Sequence, residues 1–236
     1  MNNVPKVAIV TGASQGIGAG LVQAYRARGY RVIANSRSIP PSNDPDVLSV
    51  AGDIADPAVA QRIVDETLAK FGRIDTLVNN AGIFTAKPFT QFTAEDYAAN
   101  LSVNLDGFFN ITQRAIAQME RQGGGNVVTI TTSLTDHAID GVPSVLASLT
   151  KGGLNAATKS LAIEYAKRNI RANAVSLGVI KTPMHAPETH EWLAALHPVG
   201  RLGEIDEVVQ AVMFLESARF TTGEILHVDG GQSAGH

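Results

Sequence analysis

The sequence contains no cysteine, no long uninterrupted apolar run and no strong excess of charge of either sign. The lack of cysteine excludes disulfide bonds, thiolate metal sites and cysteine nucleophiles. No apolar stretch approaches the roughly 18 residues that a transmembrane helix requires, and residues 1–6 lack the basic and apolar pattern of a signal peptide. A net charge of −3 gives no electrostatic attraction to nucleic acid or anionic lipid. We therefore expect a soluble cytoplasmic protein.

Short apolar segments alternate with segments of helical periodicity along the whole chain. Hydrophobic residues make up 44% of the sequence, which is enough for a sizeable core. Short apolar strands separated by helices are typical of a parallel sheet with helices on both faces. We expect one α/β domain over residues 1–236, a three-layer, doubly wound Rossmann fold with about seven mostly parallel strands. Strands are predicted at residues 7–10, 31–34, 47–50, 74–78, 126–130, 171–175 and 225–228, and helices at residues 16–28, 57–71, 93–122, 144–167, 188–196 and 204–217.

Residues 184–203 interrupt this alternation late in the chain. Such insertions often form a lid over the carboxyl ends of the strands, where open α/β sheets bind ligands. The spacing of its histidines and glutamates fits no compact zinc motif, so we expect no metal site and histidines that contact substrate or solvent. Trp192 and Leu193 are candidates to line or cap an apolar substrate pocket. The histidines and glutamates are His185, His190, His197, Glu188 and Glu191.

A glycine-rich turn, Thr11-Gly12-Ala13-Ser14-Gln15-Gly16-Ile17-Gly18, follows the first predicted strand and opens the first predicted helix. Gly12 permits the tight turn, Gly16 lets the backbone approach a pyrophosphate, and Gly18 lets helix and strand pack closely. The helix N-terminus offers free N–H groups to the anion. In this strand–turn–helix context the turn is predicted to bind a dinucleotide cofactor, with Ser14, Gln15 and Ile17 among its contacts.

The end of the second predicted strand decides between NAD and NADP. An acidic residue there would bond the ribose 2′-hydroxyl and repel a 2′-phosphate, but the sequence is Asn35-Ser36-Arg37-Ser38. Arg37 can bind a phosphate through two hydrogen bonds, and Ser36 and Ser38 can donate to it. We therefore predict NADP(H) as the cofactor, with NAD(H) as the less favoured alternative.

The Gly-x-x-x-Gly-x-Gly spacing of the turn resembles that of the short-chain dehydrogenase/reductase family, and further motifs extend the resemblance over essentially the whole chain. They are Gly52-Asp53-Ile54, Asn79-Asn80-Ala81-Gly82, Val103-Asn104-Leu105, Lys151, Lys181-Thr182-Pro183, Gly223 and Val228-Asp229-Gly230-Gly231. The resemblance implies that Asp53 holds the adenine and that Thr182 lies near the nicotinamide carboxamide. It also implies a homo-oligomer, a tetramer or dimer, built through the helices around residues 96–120 and 148–167. Further cofactor contacts that it implies are Ile54, Asn80, Ala81, Gly82, Lys151, Gly178 and Ile180.

The resemblance implies a catalytic set of residues from which one member is missing. In this family a tyrosine exchanges the proton during hydride transfer, and a lysine four residues later lowers the pKa of that tyrosine. Lys151 matches the lysine, but Ala147 stands four residues before it. Asn104 matches the family's asparagine. Thr132 aligns best with its serine and Ser133 follows, so either hydroxyl could polarise a substrate oxygen.

Three consequences of the missing tyrosine stay open. First, another acid can serve: His137, Asp136 or Ser144 in the preceding loop, or a water bound by Lys151, with His137 best suited to neutral pH. Second, the substrate can need no strong acid, as in the reduction of an activated double bond. In either of these two cases the expected function is hydride transfer between NADP(H) and a small carbonyl, alcohol or activated alkene. Third, the protein can be a non-catalytic NADP(H)-binding or partner-binding protein.

Overall fold

The computed structural model describes residues 4–235. Residues 1–3 and 236 lie outside the described residues, so the expectation of no signal peptide rests on the sequence alone. Within the described range, no helix is both long enough and apolar enough to span a membrane. The strands are β1 (Val7–Thr11), β2 (Arg31–Ser36), β3 (Val47–Ala51), β4 (Thr76–Asn79), β5 (Gly125–Thr132), β6 (Ile170–Leu177) and β7 (Ile225–Val228). The helices are α1 (Gly16–Ala27), α2 (Pro57–Phe71), α3 (Ala94–Leu101), α4 (Gly107–Gln122), α5 (Val145–Tyr165), α6 (His190–Ala194) and α7 (Ile205–Ser217).

All seven strands belong to one sheet, in the order β3-β2-β1-β4-β5-β6-β7, and every neighbouring pair is parallel. Alternate strand residues face opposite layers, as the twofold repeat of a strand requires. Val7 and Ile9 pack with apolar residues of α2 and α4, whereas Ala8 and Val10 pack with α1 and α7. The expected three-layer, doubly wound fold is confirmed.

Helix boundaries follow the capping residues. The Asp56 carboxylate accepts a hydrogen bond from the Ala58 N–H at 2.8 Å and starts α2, and Gly72 ends that helix in the left-handed conformation with φ of 77°. Thr93 and Asp96 form a reciprocal capping box at the start of α3. These polar contacts satisfy N–H and carbonyl groups that a helix end leaves unpaired, which explains why the predicted helix at residues 57–71 matches α2.

Several boundaries differ from prediction. The helix predicted at residues 188–196 is a 3₁₀ turn at Pro187–Thr189 followed by the short α6, and β5 and β6 are each eight residues long, longer than predicted. The fourth strand starts at Thr76 rather than at Ile74, because the Ile74 N–H donates to Gln122 Oε1 at 3.1 Å instead of to a neighbouring strand. The segment predicted to be helical at residues 93–122 is two α-helices joined by a π-helical turn at Ser102–Asp106. Such a turn adds a residue to the helix and redirects the side chains beside it.

At the amino ends of the central strands, the buried carboxylate of Glu216 joins α7 to the sheet. Glu216 Oε2 accepts hydrogen bonds from Tyr25 Oη at 3.2 Å, Thr76 Oγ1 at 2.8 Å and Asn126 Nδ2 at 3.0 Å, and Oε1 accepts from Tyr30 Oη at 2.8 Å. Burial and the charge of Glu216 raise the pKa of both tyrosines. Two of the four tyrosines in the chain therefore have a structural role at the end of the sheet opposite to the strand carboxyl ends.

Removing this carboxylate is expected to destabilise the fold. Glu216→Ala leaves four buried donors without an acceptor, so the free energy of unfolding should fall by about 3–5 kcal/mol. Glu216→Gln keeps one acceptor oxygen and should cost less. Urea unfolding measures both, with the exposed Glu224→Ala as the matched control. A loss for Glu216→Ala no larger than that of the control would contradict this role.

Candidate active site

A cavity of about 530 Å³ opens at the carboxyl ends of the strands. It lies where the strand order reverses between β1 and β4, the position at which open α/β sheets bind ligands. Apart from Ser38, all the cofactor contacts predicted from the sequence lie on its wall, from Gly12 in the first turn to Thr182 after β6. A cavity of this size can hold part of a dinucleotide together with a small substrate.

The first turn packs so closely on the end of β4 that it requires glycine. Gly12 has φ of +64°, and a Cβ atom on it would lie 2.9 Å from Ala81 Cα. A Cβ on Gly18 would meet the carbonyl oxygen of Gly12. Gly16, with φ of +56°, faces the Thr182 side chain across the crevice. The N-cap residue Gln15 makes no side-chain hydrogen bond to α1, so the first N–H groups of this helix remain available to an anion.

Asn80 holds this turn in place through its side chain. Its Nδ2 donates to the Thr11 carbonyl at 2.9 Å and to the Gly12 carbonyl at 3.1 Å. In return, Thr11 Oγ1 accepts from the N–H groups of Asn80 and Ala81 at 3.1 Å and 3.0 Å. Asn80 therefore positions the phosphate-binding turn, a more specific role than the cofactor contact implied by the resemblance.

The end of β2 presents hydroxyl groups and a cation. Ser36 Oγ lies 3.0 Å from Ser14 Oγ of the first turn, and Arg37 beside them is exposed. Among residues 4–235 no carboxylate forms an ion pair with Arg37. Ser38, the third residue considered for phosphate binding, lies off the cavity wall. The geometry thus offers an unpaired guanidinium and two hydroxyl groups at one corner of the cavity, a donor set suited to a phosphate.

Lys151 lies on the wall at the other end of the cavity and is partly buried. Its Nζ donates to the Ile130 carbonyl at 2.9 Å, and a Cβ on Gly82 would come within 2.8 Å of it. Burial lowers the pKa of Lys151 to about 8, because the surroundings of low polarity disfavour the charged form. Gly82 is therefore needed for the lysine to occupy this position.

Asn104 belongs to the π-helical turn between α3 and α4, and its amide is fully used. Its Oδ1 accepts from the Ile83 N–H at 2.9 Å, and its Nδ2 donates to the Ile83 carbonyl at 3.1 Å and to Thr150 Oγ1 at 3.0 Å. Asn104 therefore fixes the backbone after β4 to the helix that carries Lys151. It lies just behind the cavity wall rather than on it.

The two candidate hydroxyl groups at the end of β5 point in different directions. Thr132 lines the cavity, and its Oγ1 accepts only a long, 3.4 Å hydrogen bond from the Leu134 N–H. Ser133 is fully buried behind the wall, where its Oγ lies 3.1 Å from the Leu177 carbonyl and 2.5 Å from Gln232 Oε1. Of the two, only Thr132 is placed to meet a ligand.

The wall beyond Lys151 is apolar. Ala147, one helical turn before Lys151 on α5, faces this part of the cavity, and Trp192 and Leu193 of α6 line it as predicted. Sequence analysis did not identify the remaining apolar lining residues or Gln232 from the end of the chain. Among the apolar lining residues that were not predicted are Phe84, Leu134, Ile139, Val142, Met184 and Leu196.

The three residues considered as substitute acids do not line the cavity. Asp136 pairs with His227 of β7 at 3.2 Å, and His137 and Ser144 lie outside the wall. Within residues 184–203, His197 is buried and its Nε2 accepts from the Val179 N–H at 2.9 Å, whereas His185 lines the cavity. Within residues 4–235 no group of three or more histidine, aspartate or glutamate side chains is arranged to hold a metal ion.

Comparison with known proteins agrees with this geometry. The enoyl-(acyl carrier protein) reductase family model matches residues 12–233. The 3-oxoacyl-[acyl-carrier-protein] reductase FabG of Thermotoga maritima is 36% identical over 244 residues, covering 96% of this chain and 97% of the relative. Among solved structures, a 3-ketoacyl-(acyl-carrier-protein) reductase from Brucella melitensis complexed with NADH has a TM-score of 0.90 and 30% identity, covering 97% of this chain and 98% of that one.

A further solved relative, ElxO with NADP bound, has a TM-score of 0.92 and 27% identity, covering 98% of this chain and 100% of that one. A variant of ElxO in which phenylalanine replaces a tyrosine is solved with NADPH bound, with a TM-score of 0.91. The doubly wound sheet and the glycine turn at its switch point define the class of dinucleotide-binding α/β oxidoreductases. Within that class, this chain belongs to the short-chain dehydrogenase/reductase family.

Replacing Lys151 is expected to stabilise the free protein. In the folded protein the pKa of Lys151 is about 8 instead of the ordinary 10.5. Below pH 8 the folded protein therefore carries a charge that lowers its free energy of unfolding by up to about 3 kcal/mol. Between pH 8 and 10.5 the unfolded chain binds more protons than the folded protein, so the free energy of unfolding of the wild type should rise with pH in this range. Lys151→Met should lose this pH dependence. Denaturant unfolding over this pH range tests it, with the exposed Lys159→Met on the same helix as control. If Lys151→Met were less stable than the wild type at pH 7, the prediction would be wrong.

Proposed function

We propose that this protein transfers a hydride between NADP(H) and a small, apolar carbonyl, alcohol or activated alkene. The observation that carries the proposal is the continuity of one cavity from the phosphate-binding turn to the apolar wall beyond Lys151. A site for a cofactor alone needs the turn, whereas the apolar wall provides space for a second, uncharged molecule beside the cofactor. Residues 184–203 act in this proposal as the lid over that second space.

Each end of the cavity has a role in holding the cofactor. The unpaired Arg37 and the Ser14 and Ser36 hydroxyl groups support recognition of the 2′-phosphate of NADP(H). At the other end, Lys151 would hold the nicotinamide ribose, and Thr182 would lie by the carboxamide. The bound cofactor supplies the hydride. Relatives solved with NADP and with NADH both exist, so the preference for NADP(H) here rests on Arg37 and the absence of an acid at the end of β2.

The substrate oxygen would meet Thr132, which lines the cavity, while Asn104 holds the helix that carries Lys151 through its hydrogen bond to Thr150. In this proposal the chain is an atypical family member in which Ala147 replaces the tyrosine. Cofactor binding does not depend on that phenol, a view supported by the ElxO variant that lacks a tyrosine and has NADPH bound. The apolar wall favours an enzyme over a protein that only binds NADP(H).

The cofactor preference is tested with Arg37→Ala. Removing a charge-assisted contact to the 2′-phosphate should weaken NADPH binding by about 10- to 100-fold and leave NADH binding unchanged, because NADH has no 2′-phosphate. Calorimetric titration of both nucleotides measures this. Trp192, the chain's single tryptophan, lines the cavity and gives an independent fluorescence signal of binding. Equal losses for both nucleotides would mean that Arg37 does not read the phosphate.

Catalytic competence is tested with Ala147→Tyr, which places a phenol one turn before Lys151. A positioned general acid contributes about 10²–10⁴-fold to such reactions, so single-turnover reduction of an apolar ketone by bound NADPH should speed up at least about ten-fold. Ala147→Phe fills the same space without the hydroxyl and should give no gain. No hydride transfer by the wild type or by Ala147→Tyr, despite NADPH binding, would favour the non-catalytic interpretation.

A further inference from the structure

Reduction of a carbonyl needs a proton as well as a hydride, and the site must supply it. Near neutral pH, a side chain that exchanges the proton must be titratable and must reach the substrate oxygen. Among residues 4–235, the titratable side chains on the cavity wall are Arg37, Asp53, Lys151 and His185. Arg37 and Asp53 follow β2 and β3, at the edge of the sheet furthest from Lys151 along this cavity. Lys151 and His185 are therefore the two candidates.

Lys151 is the weaker of the two because its ammonium is already committed. Its Nζ is held between the Ile130 carbonyl at 2.9 Å and the backbone of Gly82. In the proposed function its charge also holds the cofactor ribose, so transfer of its proton to substrate would remove a cofactor contact at the moment of reaction.

His185 stands at the start of the lid, where its backbone is fixed on both sides. Its N–H donates to the Thr182 carbonyl at 3.0 Å, and its own carbonyl oxygen lies 3.1 Å from His190 Nε2. Thr182 in turn contacts the first turn at Gly16. The imidazole is therefore placed on the cavity wall next to Met184, close in sequence and space to the predicted nicotinamide end.

We infer that His185 exchanges the proton with the substrate oxygen, in place of the phenol that Ala147 does not provide. This inference rests on the proposed function. In the reducing direction, the carbonyl carbon gains the hydride and the C–O π pair moves to oxygen. That oxygen forms an O–H bond as the N–H bond of the His185 imidazolium breaks. NADPH is oxidised to NADP⁺ and the imidazole recovers its proton from water; alcohol oxidation runs through the same steps in reverse.

The surroundings of His185 suit this exchange. Burial, and then the nearby His190, lower the pKa of His185 below its ordinary 6.5, so the neutral imidazole predominates at pH 7 and can accept a proton from an alcohol. The titratable group beside it is His190 on the same segment, and Lys151 is the other titratable side chain on this part of the cavity wall. Within the described residues no carboxylate lines this end of the cavity.

The test is the single-turnover reduction of 1-phenyl-1,2-propanedione, a compact apolar diketone, by NADPH bound to the full chain. His185→Gln keeps a polar group of similar reach that does not titrate, and should slow hydride transfer about 10²-fold with unchanged NADPH affinity. The wild-type rate should rise as pH falls, with an inflection below 6.5, and His185→Gln should lose that inflection. His137→Gln, off the cavity wall, is the matched control and should retain the wild-type rate.

Adding Ala147→Tyr to His185→Gln separates a chemical role from a structural one. A phenol that supplies the proton should restore the rate to within a few-fold of Ala147→Tyr alone, whereas a lid that has lost its shape is not repaired by it. Failure of this rescue, an unchanged rate in His185→Gln, or a persisting inflection near the Lys151 pKa of about 8 would overturn the inference and leave the proposed function standing. Absence of diketone reduction by the wild type would overturn both.

Discussion

The contact of the first turn with the end of β4 positions both ends of the cavity. Gly12 lies against Ala81, and Asn80 donates hydrogen bonds to the carbonyls of Thr11 and Gly12, so the phosphate-binding turn is fixed to the end of β4. Gly82, one residue after Ala81, leaves room for the Lys151 ammonium. The same short stretch of backbone therefore sets where a pyrophosphate and where the lysine can sit. A side chain at Gly12 would displace both.

The two ends of the sheet differ in whether their charged groups are paired within the protein. At the amino ends of the strands, the Glu216 carboxylate has four donors and holds α7 to the sheet. At the carboxyl ends, and among residues 4–235, Arg37 forms no ion pair with a carboxylate, and the partly buried Lys151 ammonium donates to the Ile130 carbonyl. The charge of Lys151 in this poorly solvated site costs stability, whereas the exposed Arg37 stays solvated. The protein thus keeps its satisfied polar network where it supports the fold and its unsatisfied groups where a ligand can complete them.

Much of this arrangement could be predicted from the sequence because it follows from local rules. Apolar runs predict the positions of the strands, and Asp56 and Gly72 predict the two ends of α2. In a doubly wound sheet the loops after the strands all meet at one edge, so motifs far apart in sequence fell on one wall. Side-chain direction beyond the regular elements was not predictable: Thr132 and Ser133 are adjacent, yet one faces the cavity and the other bonds Gln232. Residues 184–203 have no periodicity that could predict that His185 lines the cavity and that His197 is buried.

The alanine at position 147 lies on the cavity wall among apolar side chains. The loop before α5 turns Asp136 outward to His227 and presents apolar residues such as Leu134 and Val142 to the cavity. In such surroundings a permanently charged acid is costly, and the pKa of Lys151 already falls to about 8. A group that can discharge near neutral pH avoids that cost, because it carries a charge only while a proton is being transferred. An imidazole meets this condition better than a carboxylate or a second lysine, and His185 is the imidazole that the cavity contains.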